Sequence, residues 1–185
     1  MNYYPIQSEA IILNPLHMDE SRDQLSVLCK DTGFLYNSRV YTHELNLSDS
    51  THRFFTCIAS ESYWFYNRLF IVQENQTQTP RGIIGLKDID WIQRRGELIL
   101  IIDPPGVKQK ICYEPLKLLL VKIFKEWYFH RVWIKILSTD SLTATVLKGF
   151  GFTDEGLLRD EILMDGEYTD IKIMGLLKEE FHYNG

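Results

Sequence analysis

Apolar positions recur with two different periods along this chain, and the period separates strands from helices. Ala10 to Leu16 (AIILNPL) reads as a short apolar strand closed by Pro15. From Asp19 to Lys30, Leu25, Leu28 and Cys29 fall at helical spacing, so a short amphipathic helix is expected, stopped by Asp31-Thr32-Gly33. Phe34 to Asn46 is aromatic without a clear period. Ser48-Asp49-Ser50-Thr51 offers N-caps for a second helix, with Phe54, Phe55, Ile58 and Ala59 on one face and an end near Glu61. Leu69 to Gln73 and Arg81 to Asp88 are strands joined by the polar stretch Asn75 to Pro80, which predicts a hairpin. Gly82 and Gly85 in the second of these strands mark bends or a close backbone approach. Trp91 to Arg95 makes another connection, and Gly96 to Ile102 (GELILII) is apolar enough for burial on both faces.

The second half is more regular. Leu116, Leu119, Leu120, Ile123, Phe124 and Trp127 form a core stripe on a helix predicted from Leu116 to Phe129, with Pro115 best placed in its first turn. Arg131 to Leu137 alternates as a strand does. Ser138-Thr139-Asp140-Ser141 caps a helix from Leu142 to Lys148. Leu157 to Met164 and Tyr168 to Leu177 are strands joined at Asp165-Gly166, a hairpin signal. The order implies one mixed α/β (α+β) domain over residues 1–185, with no internal linker or repeat. One stretch stands apart. Asp103 to Pro115 (DPPGVKQKICYEP) is a turn-rich basic loop between an apolar strand and a helix, a place for an anion on a helix N-terminus.

Composition narrows the classes. With 45% hydrophobic and 24% charged residues among 185, the chain reads as a soluble globular protein. A net charge of −5 argues against nucleic acid as a partner. The charge is uneven: Lys108 to Lys135 is rich in lysine, and Asp154 to Glu180 is rich in acids. Cys29, Cys57 and Cys112 form no CxxC pair, which fits reduced thiols better than disulfides or zinc. His43 and His52 belong to no ligand pattern, so no metal is expected. Neither a signal-like start nor a membrane-length apolar run is present, and a cytoplasmic protein that does not enter the membrane is expected.

Several segments, in order and with matching spacing, resemble the GNAT superfamily of acyl-CoA-dependent N-acyltransferases. They are Arg95-Gly96-Glu97-Leu98 through Asp103-Pro104, Phe129-His130-Arg131-Val132, Leu147 to Phe152, Glu155 to Arg159, and Gly166 to Asp170. The likeness is greatest to the branch holding ribosomal-protein N-terminal, spermidine and amino-sugar N-acetyltransferases. It implies a mixed, mostly antiparallel sheet flanked by helices, whose splayed central strands leave a cleft for the pantetheine arm of acetyl-CoA or another acyl-CoA. Ile101, Ile102 and the loop residues Gly106, Val107, Lys108, Gln109, Lys110, Ile111 and Cys112 would then meet the cofactor. So would Asp140, where relatives usually carry Asn; the other reading makes Asp140 a helix N-cap.

The loop departs from the family pattern. The family's loop glycines fall on Lys108 and Lys110, and only Gly106 lies nearby. Either the lysine side chains replace backbone amides as phosphate ligands, or the cofactor site is lost. Glu97 matches a family Glu on the central strand and is the candidate base; otherwise it pairs with Arg94 or Arg95. A Tyr that many relatives use as the acid is replaced by Leu147, with Tyr113, Tyr128 and Tyr168 as possible substitutes. His130 reads as structural. Tyr63-Trp64-Phe65-Tyr66 would wall an acceptor site, pack in the core or form a homodimer surface. The acidic closing hairpin would favour a cationic acceptor.

Three functions follow as expectations. The first is an N-acetyltransferase acting on a primary amine of a small molecule or a protein N-terminus by direct attack. The second is a catalytically inactive GNAT-like binding module. The third is a transferase with another acyl donor, such as a longer acyl-CoA or a carrier-protein thioester.

Overall fold

The computed structural model describes residues 4–17, 21–30, 67–103 and 112–181. In chain order these form β1 (Ile6–Gln7), β2 (Ile11–Pro15), α1 (Arg22–Leu28), β3 (Arg68–Glu74), β4 (Pro80–Asp90) and β5 (Arg95–Ile102). Then follow α2 (Tyr113–Val121), a π-helical turn (Lys122–Glu126), β6 (Arg131–Leu137), α3 (Ser141–Gly149), β7 (Thr153–Met164) and β8 (Glu167–Leu177). The strands make one eight-stranded sheet in the order β1-β2-β3-β4-β5-β6-β8-β7. Every neighbouring pair is antiparallel except β5 and β6. This is the mixed, mostly antiparallel α+β sheet expected from the sequence.

The two faces of the sheet are built differently. Leu86 and Ile84 on β4 stand opposite Leu98 and Leu100 on β5. Ile84, Leu86 and Leu98 join Leu116, Leu119, Leu120, Ile123 and Phe124 of the α2 segment in the main core, with Leu100 partly buried against it. That is the predicted stripe, with Trp127 partly buried at its edge. Strand alternation turns Glu97, Ile99 and Ile101 to the opposite face. There α1 packs against β4, with Leu25 and Leu28 buried outside the main core.

Close contact between strands depends on the two predicted glycines. A Cβ at Gly82 would come 2.2 Å from the Ile101 carbonyl oxygen, and one at Gly85 would come 2.1 Å from that of Arg68. The close-approach reading therefore holds at both positions.

Helix α2 begins at Tyr113, so Pro115 stands in the first turn without shortening the helix. Its far end differs from the prediction of a helix to Phe129. Regular α geometry stops at Val121, and Trp127 N–H donates to the Lys122 carbonyl at 2.9 Å across the π turn. Tyr128 then takes a φ of +56°, which ends the helix. Hydrophobic spacing reports the face but not such a switch of hydrogen-bond partner. The hairpin turn falls at Asp165-Gly166, with φ of +54° and +79°, the conformation that residue pair favours. The predicted helix from Phe54 to Glu61 lies outside the described residues.

Candidate active site

Strands β5 and β6 are in register over Arg95↔Arg131, Gly96↔Val132 and Glu97↔Trp133. Beyond that point they part. β5 stays paired to β4 as far as Ile102, and β6 stays paired to β8 as far as Leu137. Among the described residues, the edge of β5 from Leu98 to Ile102 therefore has no ladder partner on its β6 side. Ile101 and Ile102 lie on this open stretch; Ile102 is buried in the main core and Ile101 is half-buried on the other face.

Glu97 sits at the apex of the fork and is only 4% exposed. Its partner is not Arg94 or Arg95. Lys87, directly opposite on β4, places Nζ 3.2 Å from Glu97 Oε1. Arg95 instead pairs with Asp90 at 3.6 Å. The correction follows from register: Arg95 shares a face with Glu97 but stands opposite Asp90 and is taken by it, while Arg94 precedes the strand in a turn with φ of +54°. Although the charges lie close, Glu97 Oε1 is buried with no hydrogen bond directed at it.

On the other flank of the apex, Arg131 makes a bidentate pair with Glu155, and its guanidinium lies 6.0 Å from the centre of the Trp133 ring. The Glu155 carboxylate rests over Gly175, where any Cβ would collide with it. The Arg131–Glu155 hydrogen bonds hold the Glu155 carboxyl below its ordinary range and the Arg131 guanidinium above its own. Gly175 sits in an apolar strand, and the same signal that singled out Gly82 and Gly85 would have flagged it.

The open end of the fork is bounded by the starts of α2 and α3. Asp140 is the N-cap of α3: Oδ1 accepts from Thr143 N–H at 3.0 Å. Cys112 precedes α2 and supplies no side-chain cap, leaving that first turn uncapped by its own N-cap residue. Cys112 is 1% exposed; burial pushes its thiol up, a backbone hydrogen bond pulls the other way, and the Asp140 carboxylate adds a smaller push. Asp140 and Cys112 are thus neighbours at the open end of the fork. Gly106, Val107, Lys108, Gln109, Lys110 and Ile111 lie outside the described residues. At the threshold of that loop, Asp103 is clamped to Arg81, its N–H donating to the Arg81 carbonyl at 3.0 Å and Oδ2 lying 3.3 Å from Nη2.

The tyrosines separate as well. Leu147, in the position of the family's acid, is fully buried. Tyr113 stacks on Phe150 with ring centroids 4.5 Å apart. Tyr128 lies beneath Lys178, whose Nζ is 5.9 Å from its ring, and Tyr168 is exposed on the closing hairpin. His130 is held at the β6 entrance, its N–H on the Arg94 carbonyl and its carbonyl accepting from Lys178 N–H. In the acidic hairpin, Asp154 pairs with Lys148 at 3.0 Å and Asp170 accepts from Asp160 N–H at 2.9 Å. No group of three His, Cys, Asp or Glu among the described residues is placed to hold a metal ion. No described helix is long and apolar enough to cross a membrane.

Two parallel strands that separate beside a helix N-terminus, with a buried glutamate at the apex, form the frame expected of an acyl-CoA N-acyltransferase. Known proteins agree. The sequence pattern of the acetyltransferase (GNAT) domain matches residues 11–153, and the chain belongs to that family. It is 25% identical over 114 residues to the spermidine N(1)-acetyltransferase of Vibrio cholerae. That match takes in 62% of this chain and 65% of the relative, under two thirds of the relative's own length. Among solved structures, a probable GNAT acetyltransferase from Chromobacterium violaceum superposes with a TM-score of 0.77 at 19% identity, covering 97% of this chain and 89% of that one. A GCN5-related N-acetyltransferase from Brucella melitensis gives 0.77 at 17% identity, covering 97% and 81%. Mutant forms of the V. cholerae spermidine/spermine N-acetyltransferase give 0.68 at 20% identity, covering 92% and 95%. At these identities the structural likenesses concern the fold.

Proposed function

We propose that this chain is an N-acetyltransferase that moves an acetyl group from acetyl-CoA to a primary amine of a small molecule. The observation that carries the proposal is the fork: an unpaired β5 edge from Leu98 to Ile102, ending on a buried carboxylate. An edge without a ladder partner offers backbone groups to the amides of a pantetheine arm. The first turn of α2, not capped by Cys112, suits a pyrophosphate. Asp140 already spends an oxygen on Thr143 N–H, so its role here is chiefly to fix α3. Lys108 and Lys110 are the proposed phosphate ligands in place of the family's glycines. The open fork and the family match support catalysis over an inactive binding module.

Glu97 is the proposed base, acting directly or through one water. It takes a proton from the acceptor ammonium. The neutral nitrogen attacks the thioester carbon, the C–N bond forms, the C–S bond breaks, and the thiolate leaves with the second proton from nitrogen. No covalent enzyme intermediate is needed, which agrees with a buried, unreactive Cys112. The name of the V. cholerae relative makes a polyamine the first acceptor to try.

The test is CoA thiol release from acetyl-CoA with spermidine, glucosamine and a peptide with a free N-terminus. Longer acyl-CoA and a carrier-protein thioester serve as competing donors. Glu97→Gln is expected to lower kcat by about a hundredfold. Full activity in that variant would remove Glu97 from the mechanism, and no turnover with any amine and donor would remove the function.

A further inference from the structure

One row of paired positions crosses the apex of the fork: Lys87, Glu97, Trp133 and Gly175. Paired positions share a face, so Glu97 has a cation on one side and an indole on the other. A carboxylate that is 4% exposed is costly unless a counter-charge compensates it. Trp133 carries no charge. Of the two cations flanking it on that face of β6, Arg131 is engaged by Glu155, and Lys135 makes no ion pair with Glu97. Among the described residues the ion-pair partner of Glu97 is Lys87, with Nζ at 3.2 Å. Lys87 stands on β4, so β5 lies between it and the fork. The group it meets on the fork side is Glu97.

The pairing has an unusual property. It supplies charge without direction, because Glu97 Oε1 receives no aligned hydrogen bond. An arginine at such a place would fork both oxygens and occupy their lone pairs, as Arg131 does to Glu155. An ammonium on a flexible stem is a point charge and leaves a lone pair for an incoming N–H or a water. We propose that Lys87 is a positioning residue for acetyl transfer: it balances the buried Glu97 carboxylate at Oε1 from behind β5 while leaving the other oxygen, Oε2, able to accept the acceptor's proton. This rests on Glu97 being the base.

The experiment is a double-mutant cycle on the full chain: wild type, Lys87→Met, Glu97→Gln and the double variant, with Lys87→Arg alongside. Two readouts are taken. The first is the urea unfolding midpoint, which needs no substrate. Lys87→Met is expected to lower it in the presence of Glu97. In the double variant, where Glu97→Gln has already replaced the carboxylate by a neutral amide, it is expected to leave the midpoint nearly unchanged. The second is turnover of the best amine from the functional panel. Lys87→Met is expected to lower kcat about tenfold with the amine KM within about twofold and to add nothing to Glu97→Gln, while Lys87→Arg, which keeps the charge but would fork both carboxylate oxygens, is expected to hold the midpoint and still lower kcat; full kcat in Lys87→Arg would overturn the proposal. Equal midpoint losses in both backgrounds would overturn the proposal while leaving the function standing. Coupled midpoints with an unchanged kcat would overturn it too, by reducing Lys87 to a structural partner. A wild-type chain that turns over no amine overturns the catalytic reading, and this role with it.

Discussion

Gly175→Ala sets two effects of similar size against each other. Alanine is favoured over glycine inside a strand by about 0.5–1 kcal/mol, because glycine loses more freedom on folding. Against this, a Cβ at Gly175 would stand 2.1 Å from Glu155 Oε1, 2.3 Å from its Cδ and 2.6 Å from Oε2. Those atoms end a flexible side chain, so the carboxylate swings away rather than the strand moving. The loss is then the bidentate pair with Arg131. Both side chains are 30% exposed, so solvent screening limits the pair to about 1 kcal/mol. The net change in the wild-type background is expected near zero. In a Glu155→Gln background, where no ion pair remains to lose, the same substitution is expected to stabilise relative to its effect in wild type. Urea unfolding of the four proteins at pH 7 measures the coupling. Its sign in acid follows from the Glu155 carboxyl, which is held below its ordinary range chiefly by the Arg131 hydrogen bond. Such a group stabilises the fold above its unfolded-state pKa and loses that contribution as pH falls through the folded value. The coupling is therefore expected to shrink in strong acid. Equal effects of Gly175→Ala in both backgrounds at pH 7 would refute the reasoning.

Other consequences can be checked separately. Gly85→Ala places a Cβ 2.1 Å from the Arg68 carbonyl oxygen, a backbone atom that cannot swing aside; a severely destabilised or insoluble protein is expected in a thermal melt. Asp140→Ala removes the cap on Thr143 N–H and is expected to cost about 1 kcal/mol in urea unfolding. Burial pushes the Cys29 thiol up to about 12, so its alkylation at pH 8 is expected to be slow in the folded chain and to speed up in step with the open fraction as urea is added.

Local periodicity made most of the sheet legible. Arg131–Leu137 alternates in the sequence and forms β6 with those same limits. The stripe from Leu116 to Phe124 is buried as its spacing requires. The site was less legible, for a physical reason. Lys87 and Glu97 meet because the turn after Asp90 and the irregular register between Lys87 and Asp90 set β4 against β5. Nothing within either strand encodes that offset. Arg131 and Glu155 are likewise brought together across β8, and the Gly175 notch matters only once β7 is folded beside it. The two-residue β1 was missed because Ile6–Gln7 is too short to show a period. The family resemblance supplied the parting of β5 and β6, which no residue pattern in either strand declares. It also singled out Glu97 on the central strand as the candidate base, and the structure then supplied Lys87, which the resemblance did not.

The central claim is that the fork between β5 and β6 takes acetyl-CoA even though lysines stand where the family's loop has glycines. Isothermal titration of the full chain with acetyl-CoA tests this most directly, repeated with Lys108→Ala/Lys110→Ala. Saturable one-to-one binding to the wild type, weakened by about tenfold or more in the double variant, is the expected result. No heat of binding to the wild type at millimolar acetyl-CoA would contradict it.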